Sequence, residues 1–352
     1  MFNKNGTEYI SEQIRLANAR GENTVTVTGA WEISSAVRLP SDFTIVLDGC
    51  HLKMADGVFD NMFVNEHCGT PEGKTLAGRD RNISIIGKNS PVLDGGNYNG
   101  LSERTANKNG LPPIWKNNLI LFTNVEGFEM RDFACKNQRW WAINFLFCAN
   151  GKISNIDFTS CDIWVDEDGN EHHGLIKDKY SEILVKNSDG IDLRQGCHHI
   201  EIENITGFTE DDSVAITGLM GRLEEEFAVE GASTDICHVS VKNVATAALC
   251  SNVRLLNQSG IKLHDIYIDG ITDTSASSPY MDVGIHALRI GDLHMYGSRH
   301  AFANETYNIT VKNIRSRAAV SAVTLAGAMT NVEIEEPVCA EGTVAVIDNR
   351  GK

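Results

Sequence analysis

Residues 181–207 read SEILVKNSDGIDLRQGCHHIEIENITG, in which short runs of alternating apolar and polar residues end at Asn, Asp or Gly. Alternation over four to eight residues is typical of a β-strand with one buried face. Ile183 and Ile200 are 17 residues apart, and Val239 and Leu263 are 24 apart. The same unit recurs at residues 43–49, 81–89, 127–133, 151–158, 238–246, 262–270, 307–316 and 331–337. Strands at this period with no helices between them predict a β-solenoid.

The polar residues that end each strand fit the corners of such a coil. Asn and Asp tolerate left-handed backbone conformations, and their side chains hydrogen-bond locally. Stacked corners can also pair their amides with the neighbouring rung. We therefore predict an all-β fold, a single-stranded parallel β-helix.

One segment, TEYISEQIRLANARGE at residues 7–22, has helical periodicity instead. Ile10, Ile14 and Ala17 share one face of the predicted helix, and Gly21 follows as a stop signal. An amphipathic helix here would cover the open N-terminal end of the solenoid, where strand edges are otherwise unpaired.

The chain of 352 residues is long enough for two domains, but a solenoid grows by adding rungs around one core. We predict a single domain, residues 1–352, with rungs over residues 25–348. Polar insertions near residues 60–80, 95–118, 160–180 and 218–236 would form loops that wall a groove on one face.

Charge and cysteine usage limit the partners. With 31 Lys and Arg against 47 Asp and Glu, the net charge of −16 argues against nucleic acid or an anionic membrane as a partner. The nine cysteines have neither zinc nor redox-dithiol spacing, so we expect reduced thiols, no metal and no cofactor. Reduced thiols and an N-terminus without an apolar signal core favour a cytoplasmic protein, or a secreted one if a signal was removed.

Four carboxylates are the strongest candidates for chemistry. Asp189 and Asp192 lie in one predicted rung, and Asp211 and Asp212 lie in the next. Adjacent rungs stack about 4.7–4.9 Å apart, so these side chains could meet on one face. Crowded carboxylates raise one another's pKa, and glycoside hydrolysis needs one protonated acid beside one ionised group. The alternative interpretation is solvated Asp in ordinary polar turns.

Three arginines and a tryptophan complete the candidate site. Alternation places Arg194, Arg254 and Arg289 on the outer face, where they could bind a substrate carboxylate in bidentate fashion. Alternatively, they pair with the Asp cluster and neutralise it. Trp140 and Trp141 are adjacent, so in a strand they would face opposite sides. Trp140 is the candidate sugar-stacking platform, with pure packing as the alternative.

The motifs NSDGID (187–192) and EDDSVAI (210–216) resemble the paired N-T-D-G-[IF]-D and [GQ]-D-D-x-[VI]-A motifs of the family 28 glycoside hydrolases. This is the polygalacturonase group of right-handed parallel β-helices, also called pectin-lyase-like solenoids. NQRWWAINF (137–145) is similar to the family's Trp-bearing strand. The resemblance is good over residues 180–218 and weaker over 80–320.

The resemblance implies inverting hydrolysis of an α-linked oligosaccharide or polysaccharide, with pectin-type uronic acid as one candidate component. Asp211 would be the general acid, and Asp189 and Asp212 would activate the water. Asp192 is a candidate substrate-binding residue, together with the arginines and Trp140.

Two family motifs are altered. The family's G-H-G would fall in residues 246–256, which contain no His, and its R-I-K would fall in HALRIGD (286–292), where Gly291 replaces Lys. In the family, the His supports the carboxylates, and the Arg and Lys hold a uronate.

Two other functions stay open at this point. A polysaccharide lyase or epimerase on the same scaffold could use the four Asp carboxylates as calcium ligands. A non-catalytic glycan-binding β-helix is the other alternative. The sequence leaves the oligomeric state open.

Overall fold

The computed structural model describes residues 1–96, 113, 115–138, 140–160, 164–165, 170–172 and 188–351. Its helices are α1 (Gly6–Ala19) and α2 (Arg222–Glu226), with 3₁₀ turns at Glu72–Lys74 and Ser275–Ser277. The strands are β1 (Thr24–Val27), β2 (Ala30–Ile33), β3 (Val37–Leu39), β4 (Phe43–Asp48), β5 (His51–Met54), β6 (Phe63–Asn65), β7 (Asp80–Lys88), β8 (Val92–Asp94), β9 (Ile120–Thr123), β10 (Val125–Lys136), β11 (Trp141–Leu146), β12 (Ala149–Thr159), β13 (Trp164–Val165), β14 (Glu171–His172), β15 (Asp189–Leu193), β16 (His198–Thr209), β17 (Val214–Gly218), β18 (Ile236–Ala248), β19 (Ser251–Asn257), β20 (Leu263–Asp273), β21 (His286–Ile290), β22 (Thr306–Ser316), β23 (Ser321–Ala326), β24 (Thr330–Ile334), β25 (Val338–Cys339) and β26 (Val346–Asn349).

The strands form two large parallel sheets. The first follows the order β1-β4-β7-β10-β12-β16-β18-β20-β22-β24, with β2, β5, β8 and β25 joined at its side. The second follows the order β3-β6-β9-β11-β15-β17-β19-β21-β23-β26. Consecutive turns of the chain therefore add strands to both sheets in sequence order, which confirms the predicted right-handed parallel β-helix.

Two columns of left-handed residues run along the coil and bend it into rungs. One contains Asp42, Asn82, Asn150, His199, His238, Asp265, Asn308 and Asn331, and the other contains Asp132, Asn155, Asn204, Asn243 and Asn313. Side-chain amides link neighbouring rungs within a column: Asn155 donates to Asp132 at 2.7 Å, and Asn204 donates to Asn155 at 3.0 Å. The polar corner residues of the sequence thus have the predicted backbone and the predicted amide pairing.

Helix α1 covers the N-terminal end of the coil, as the periodicity predicts. Ile10, Ile14 and Ala17 are buried in the main core. The backbone N–H of Gly21 donates to Asn18, and Gly21 has a φ of 72°, so the helix ends with a left-handed glycine.

The core is a set of stacked apolar side chains inside the coil. Ile191 and Leu193 of β15 pair with Val214 and Ile216 of β17, and all four are fully buried. Because side chains alternate along a strand, Asp192 between the first two points away from this core.

The predicted insertions agree only in part with the structure. Residues 63–65 form β6, so the insertion predicted near 60–80 begins later than expected; Phe63, Val64 and Asn65 are all buried and give no alternating pattern. The insertion at 218–236 contains α2. Most of residues 95–118 and 160–180 lie outside the described residues.

The described cysteines are free thiols, and five of them are buried: Cys50, Cys68, Cys135, Cys148 and Cys197. In the described part of the chain, no helix combines the length and the apolar character that a bilayer crossing requires.

Candidate active site

Three carboxylates converge on two neighbouring rungs. Asp189 begins β15, and Asp211 and Asp212 lie in the turn that leads into β17. The backbone N–H of Asp212 donates to Oδ1 of Asp189 at 3.0 Å. One oxygen from each of the three carboxyl groups lies within 4.8 Å of the others. The structure thus brings together the three Asp side chains that the sequence singles out.

The glycine of the D-G-I-D motif permits this close approach. Gly190 donates its N–H to the Asp212 carbonyl at 3.0 Å. A Cβ at Gly190 would overlap the carbonyl oxygen of Ser213 in the next rung. A side chain here would therefore push the two rungs apart at the site.

Burial raises the pKa of each carboxyl group in the cluster. Burial and the negative charge of Asp212 raise the pKa of Asp211 to about 7. Burial, followed by the charges of Asp192 and Asp211, raises the pKa of Asp189 well above its usual value. Burial also raises the pKa of Asp212, although the positive charges of Arg254 and Arg289 oppose this. The groups titrate as one coupled cluster that holds protons near neutral pH.

Asp211 and Asp212 are half-buried, whereas Asp189 is 6 % exposed. Access therefore distinguishes the three groups. Asp211 and Asp212 are the more accessible groups, and Asp189 lies beneath them.

Asp192 and Arg194 lie beneath a loop rather than in open groove. Arg194 donates to Glu224 at 2.9 Å and to Asp192 at 3.4 Å, and its guanidinium lies 3.9 Å from the Trp141 ring centre. Burial raises the pKa of Asp192 to about 8 despite the charge of Arg194. Glu224 is on α2, so the insertion at 218–236 supplies the partner that holds Arg194.

Asn144 adjoins this cluster in the preceding rung, paired in register with Asp192. It is fully buried, and within the described part of the chain neither amide atom has a hydrogen-bond partner. Oδ2 of Asp192 likewise lacks one. Buried polar atoms in this state need a water or a ligand group.

Arg254 and Arg289 occupy the same position in neighbouring rungs, β19 and β21. Both pair with Asp292: Nη2 of Arg254 donates to Oδ2 at 2.6 Å, and Nη2 of Arg289 forms an ion pair with Oδ1 at 2.6 Å. Burial opposes ionisation of Asp292, but the hydrogen bonds from Arg254 and the His294 N–H, together with the charges of the two arginines, lower the pKa of Asp292. Arg254 and Arg289 thus stand next to each other, joined by a protein carboxylate, whereas Arg194 pairs with Glu224 and is not part of this row.

Gly291 stands where the family has Lys, and the backbone explains why no side chain is present. Its φ is 73°, and a Cβ would overlap the carbonyl oxygen of Ala326 in the next rung. The second positive charge, beside that of Arg289, is therefore the guanidinium of Arg254 from the preceding rung.

The residues beside Asp211 and Asp212 in the following rung are Cys250 and Ser251, where the family has His. Ser251 accepts the backbone N–H of Ser213 at 2.9 Å. Burial and the charge of Asp211 raise the pKa of the Cys250 thiol, so it stays protonated. Ser251 pairs in register with His286, and burial followed by the charge of Arg289 lowers the pKa of His286 to about 4. The described surroundings therefore supply a neutral imidazole one rung further on.

The expectation that Trp140 and Trp141 face opposite sides is wrong. Both pack into one cluster with Leu146 and Phe147, with ring centres 5.3 Å apart. Trp140 has a φ of 68°, which breaks the alternation that a regular strand would impose. At 6 % exposure Trp140 offers little ring area to a sugar.

The described residues contain one group with the geometry of a metal site, the oxygens of Asp189, Asp211 and Asp212. Carboxylate oxygens are the ligands that hard cations such as Ca²⁺ prefer. The same three groups therefore suit either proton transfer or cation binding.

Sequence reasoning missed Glu224, Asp292, Asn144 and Tyr296. Asp292 is the last residue of HALRIGD, and an acidic residue three places after Arg289 was the available signal. Glu224 is one of three consecutive glutamates on a loop helix, and nothing in the sequence distinguishes it from the other two. Tyr296 lies on the loop after β21, with its ring 6.0 Å from the Arg254 guanidinium.

The fold is a parallel β-helix, and its outer face carries clustered carboxylates with arginines beside them. Residues 8–231 match the family model for glycosyl hydrolases family 28. This match covers more than half of the chain, which therefore belongs to glycosyl hydrolases family 28 and is a glycosidase that acts on glycans.

Solved structures add support for the fold. A variant tailspike protein of E. coli bacteriophage HK620, in complex with a pentasaccharide, is similar with a TM-score of 0.56 and 16 % identity. The unsubstituted tailspike with a pentasaccharide has a TM-score of 0.52 and 14 % identity. In both comparisons the match covers 98 % of this chain and 61 % of the tailspike chain. No curated protein matches the sequence.

Proposed function

We propose that this protein hydrolyses an α-linked glycosidic bond with inversion at the anomeric carbon. The observation that carries the proposal is the convergence of Asp189, Asp211 and Asp212 within 4.8 Å on two rungs. Family membership supports the reaction, and the tailspike complexes with saccharides support a glycan as ligand.

Asp211 is the general acid in this mechanism. With a pKa of about 7, it carries a proton at neutral pH and is half-buried, within reach of a bound glycan. It gives that proton to the glycosidic oxygen as the bond to the anomeric carbon breaks.

Asp212 and Asp189 act together as the general base that activates water. Arg254 and Arg289 oppose the effect of burial on Asp212 and favour its ionised form. The water's oxygen attacks the anomeric carbon from the opposite face, and its proton passes to the carboxylate pair. The products are a sugar with inverted anomeric configuration and a free hydroxyl on the leaving sugar.

The spacing of the catalytic carboxyl groups differs between inverting and retaining glycosidases. Inverting enzymes usually hold their two carboxyl groups about 6.5–9.5 Å apart and retaining enzymes about 5–5.5 Å apart. One oxygen from each of Asp189, Asp211 and Asp212 lies within 4.8 Å of the others, closer than either range. The proposal of inversion therefore rests on the family's chemistry rather than on this spacing.

The experiment is a screen of the purified protein on pectic oligosaccharides, neutral α-linked oligosaccharides and nitrophenyl glycosides. Proton NMR then follows the anomeric configuration of the first product. Release of the inverted anomer supports the proposal. Release of the retained anomer contradicts inversion, and absence of hydrolysis on the whole panel contradicts the function.

The second candidate function is a polysaccharide lyase that uses a cation held by the same three carboxylates. Their mutual approach, within 4.8 Å, is the observation that favours it. A product that absorbs in the ultraviolet because of a new carbon–carbon double bond, together with loss of activity in a chelator, distinguishes elimination from hydrolysis.

A further inference from the structure

Asp292 occupies the position between Arg254 and Arg289 where an acidic ligand would bind. Nη2 of Arg254 donates to Oδ2 of its carboxylate and Nη2 of Arg289 forms an ion pair with Oδ1, both at 2.6 Å. The side chain of Asp292 is 2 % exposed, and its Oδ1 also accepts the backbone N–H of His294 at 3.0 Å. This is the arrangement with which two arginines bind a substrate carboxylate, filled by the protein itself.

Protein carboxylates already face the arginine pair. Asp292 pairs with both arginines, and the charges of both also act on Asp212. A cation pair that already faces protein carboxylates has little excess charge to offset the desolvation of another. A uronate placed here would meet Asp292 as a like charge.

The remaining polar contact at this place suits an uncharged group. Nε of Arg289 is buried and has no hydrogen-bond partner in the part of the chain that the structure describes. The Arg289 side chain is 27 % exposed, so a ligand can approach it. A sugar hydroxyl oxygen can accept an N–H from the exposed part of this guanidinium without bringing charge.

An aromatic ring beside the arginines fits the apolar face of a neutral sugar. Tyr296 is 55 % exposed, and its ring lies 6.0 Å from the Arg254 guanidinium. The loop is anchored, because the N–H groups of Tyr296 and Gly297 donate to Oε1 of Gln258 at 2.6 and 2.8 Å. Gln258 in turn donates to the His294 carbonyl at 2.8 Å. The ring is therefore presented on a fixed support.

We infer, on the basis of the glycosidase function proposed above, that the subsite beside Arg254 and Arg289 takes an uncharged sugar and excludes a uronate because Asp292 closes the arginine pair. Asp292 is thus a specificity-determining residue. Replacing it with an uncharged residue opens the pair to an acidic ligand.

The test uses two probes that differ only in charge: α-1,4-linked trigalacturonate and its carboxyl-reduced counterpart, galactotriose. Binding is measured by isothermal titration calorimetry at constant ionic strength. Every variant carries Asp211→Asn so that the probes are not consumed. Asp292→Asn removes the charge of the closing group, and Asp348→Asn on β26 is the control with the same change in net charge.

The parent is the protein that carries Asp211→Asn alone. The expected result is that it binds galactotriose more tightly than trigalacturonate. Asp292→Asn then shifts this preference toward the acid by about tenfold or more, because it removes the like charge that faces the acid, whereas Asp348→Asn leaves it unchanged. If the parent binds neither probe, binding of trigalacturonate to Asp292→Asn alone supports the inference. A parent that prefers the acid, an unchanged preference in Asp292→Asn, or no binding of the acid to that variant overturns it.

A second measurement covers the case in which the variant is unstable. Asp292→Ala leaves two buried guanidinium groups without their shared partner, so its melting temperature falls, and free galacturonate should raise it more than free galactose does. Equal effects of the two monosaccharides overturn the inference. Because these readouts are binding and stability, they do not depend on hydrolysis. Turnover by Asp211→Asn at the wild-type rate would instead contradict the proposed function.

Discussion

The backbone N–H of Asp212 donates a 3.0 Å hydrogen bond to Oδ1 of Asp189, across the boundary between two rungs of the β-helix. This bond holds the Asp189 carboxylate against the backbone of the residue proposed to share its role in activating water. The geometry of the site therefore depends on how the two rungs stack.

Asp211→Asn should lower kcat/KM by about 100- to 10,000-fold, the usual contribution of a general acid. The amide keeps the size of the side chain, so the melting temperature should not fall. Asp157→Asn, at an exposed position on β12, is the matched control and should keep full activity. Comparable activity in Asp211→Asn and Asp157→Asn would remove Asp211 from the mechanism.

The pH–rate profile should have an alkaline limb near pH 7. Asp211 has a pKa of about 7 and must be protonated to act, so kcat/KM should fall as the pH rises above that value. The measurement is kcat/KM from pH 4 to 9 on the best substrate of the screen. Activity that stays constant from pH 7 to 9 would show that the acid is another group.

Asp192→Asn should flatten the dependence of stability on pH. The folded pKa of Asp192 is about 8, whereas an unfolded Asp titrates near 3.9, so the folded state binds the extra proton between these values. The free energy of unfolding therefore falls as the pH rises through that window. Melting temperatures at pH 5, 7 and 9 should decline less in the variant than in the wild type; parallel declines would place the raised pKa elsewhere.

Glu224→Ala should destabilise the protein by about 3–5 kcal/mol, because it removes one partner of a buried ion pair. Arg194 would keep only Asp192. Glu225→Ala is the control, since Glu225 is the exposed neighbour on the same short helix. Chemical denaturation of both variants measures the difference, and equal free energies of unfolding would show that the Arg194–Glu224 contact contributes little.

Gly291→Lys restores the residue type found in the family. It should lower the melting temperature and should not raise activity on uronate substrates. A left-handed backbone at a non-glycine residue costs about 1–3 kcal/mol, and the new Cβ would also overlap the Ala326 carbonyl. Thermal denaturation and kcat/KM on acidic and neutral substrates check both parts. A stable variant with higher activity on uronates would contradict them.

The fold and the three central carboxylates were predictable from the sequence because both depend on local, repeated patterns. Alternation and polar corners recur in every rung, and D-G-I-D and E-D-D occupy fixed places in two of them. Glu224 and Asp292 were not predictable as partners of the arginines. They lie on loops whose path no periodicity fixes, and their roles depend on which side chain a loop brings down onto the sheet.

Trp140 shows the limit of alternation as a guide. A single residue with positive φ turns its side chain to the same side as its neighbour, and the sequence of two tryptophans carries no sign of that turn. The outer face of β15 shows a second limit, because Asp192 points away from the core and is nevertheless fully buried by the segments that cover it.

The outer positions Asn144, Asp192, Ala215, Arg254 and Arg289 stand in register, one for each successive rung. This row therefore repeats at about 4.8 Å, the hydrogen-bonded spacing of strands. Arg289 is the partly exposed member of the row, whereas the other four are buried beneath the segments that cover this face. The identity of each rung's outer side chain thus sets how deeply the covering loops can pack, so the loops and the rungs beneath them must change together.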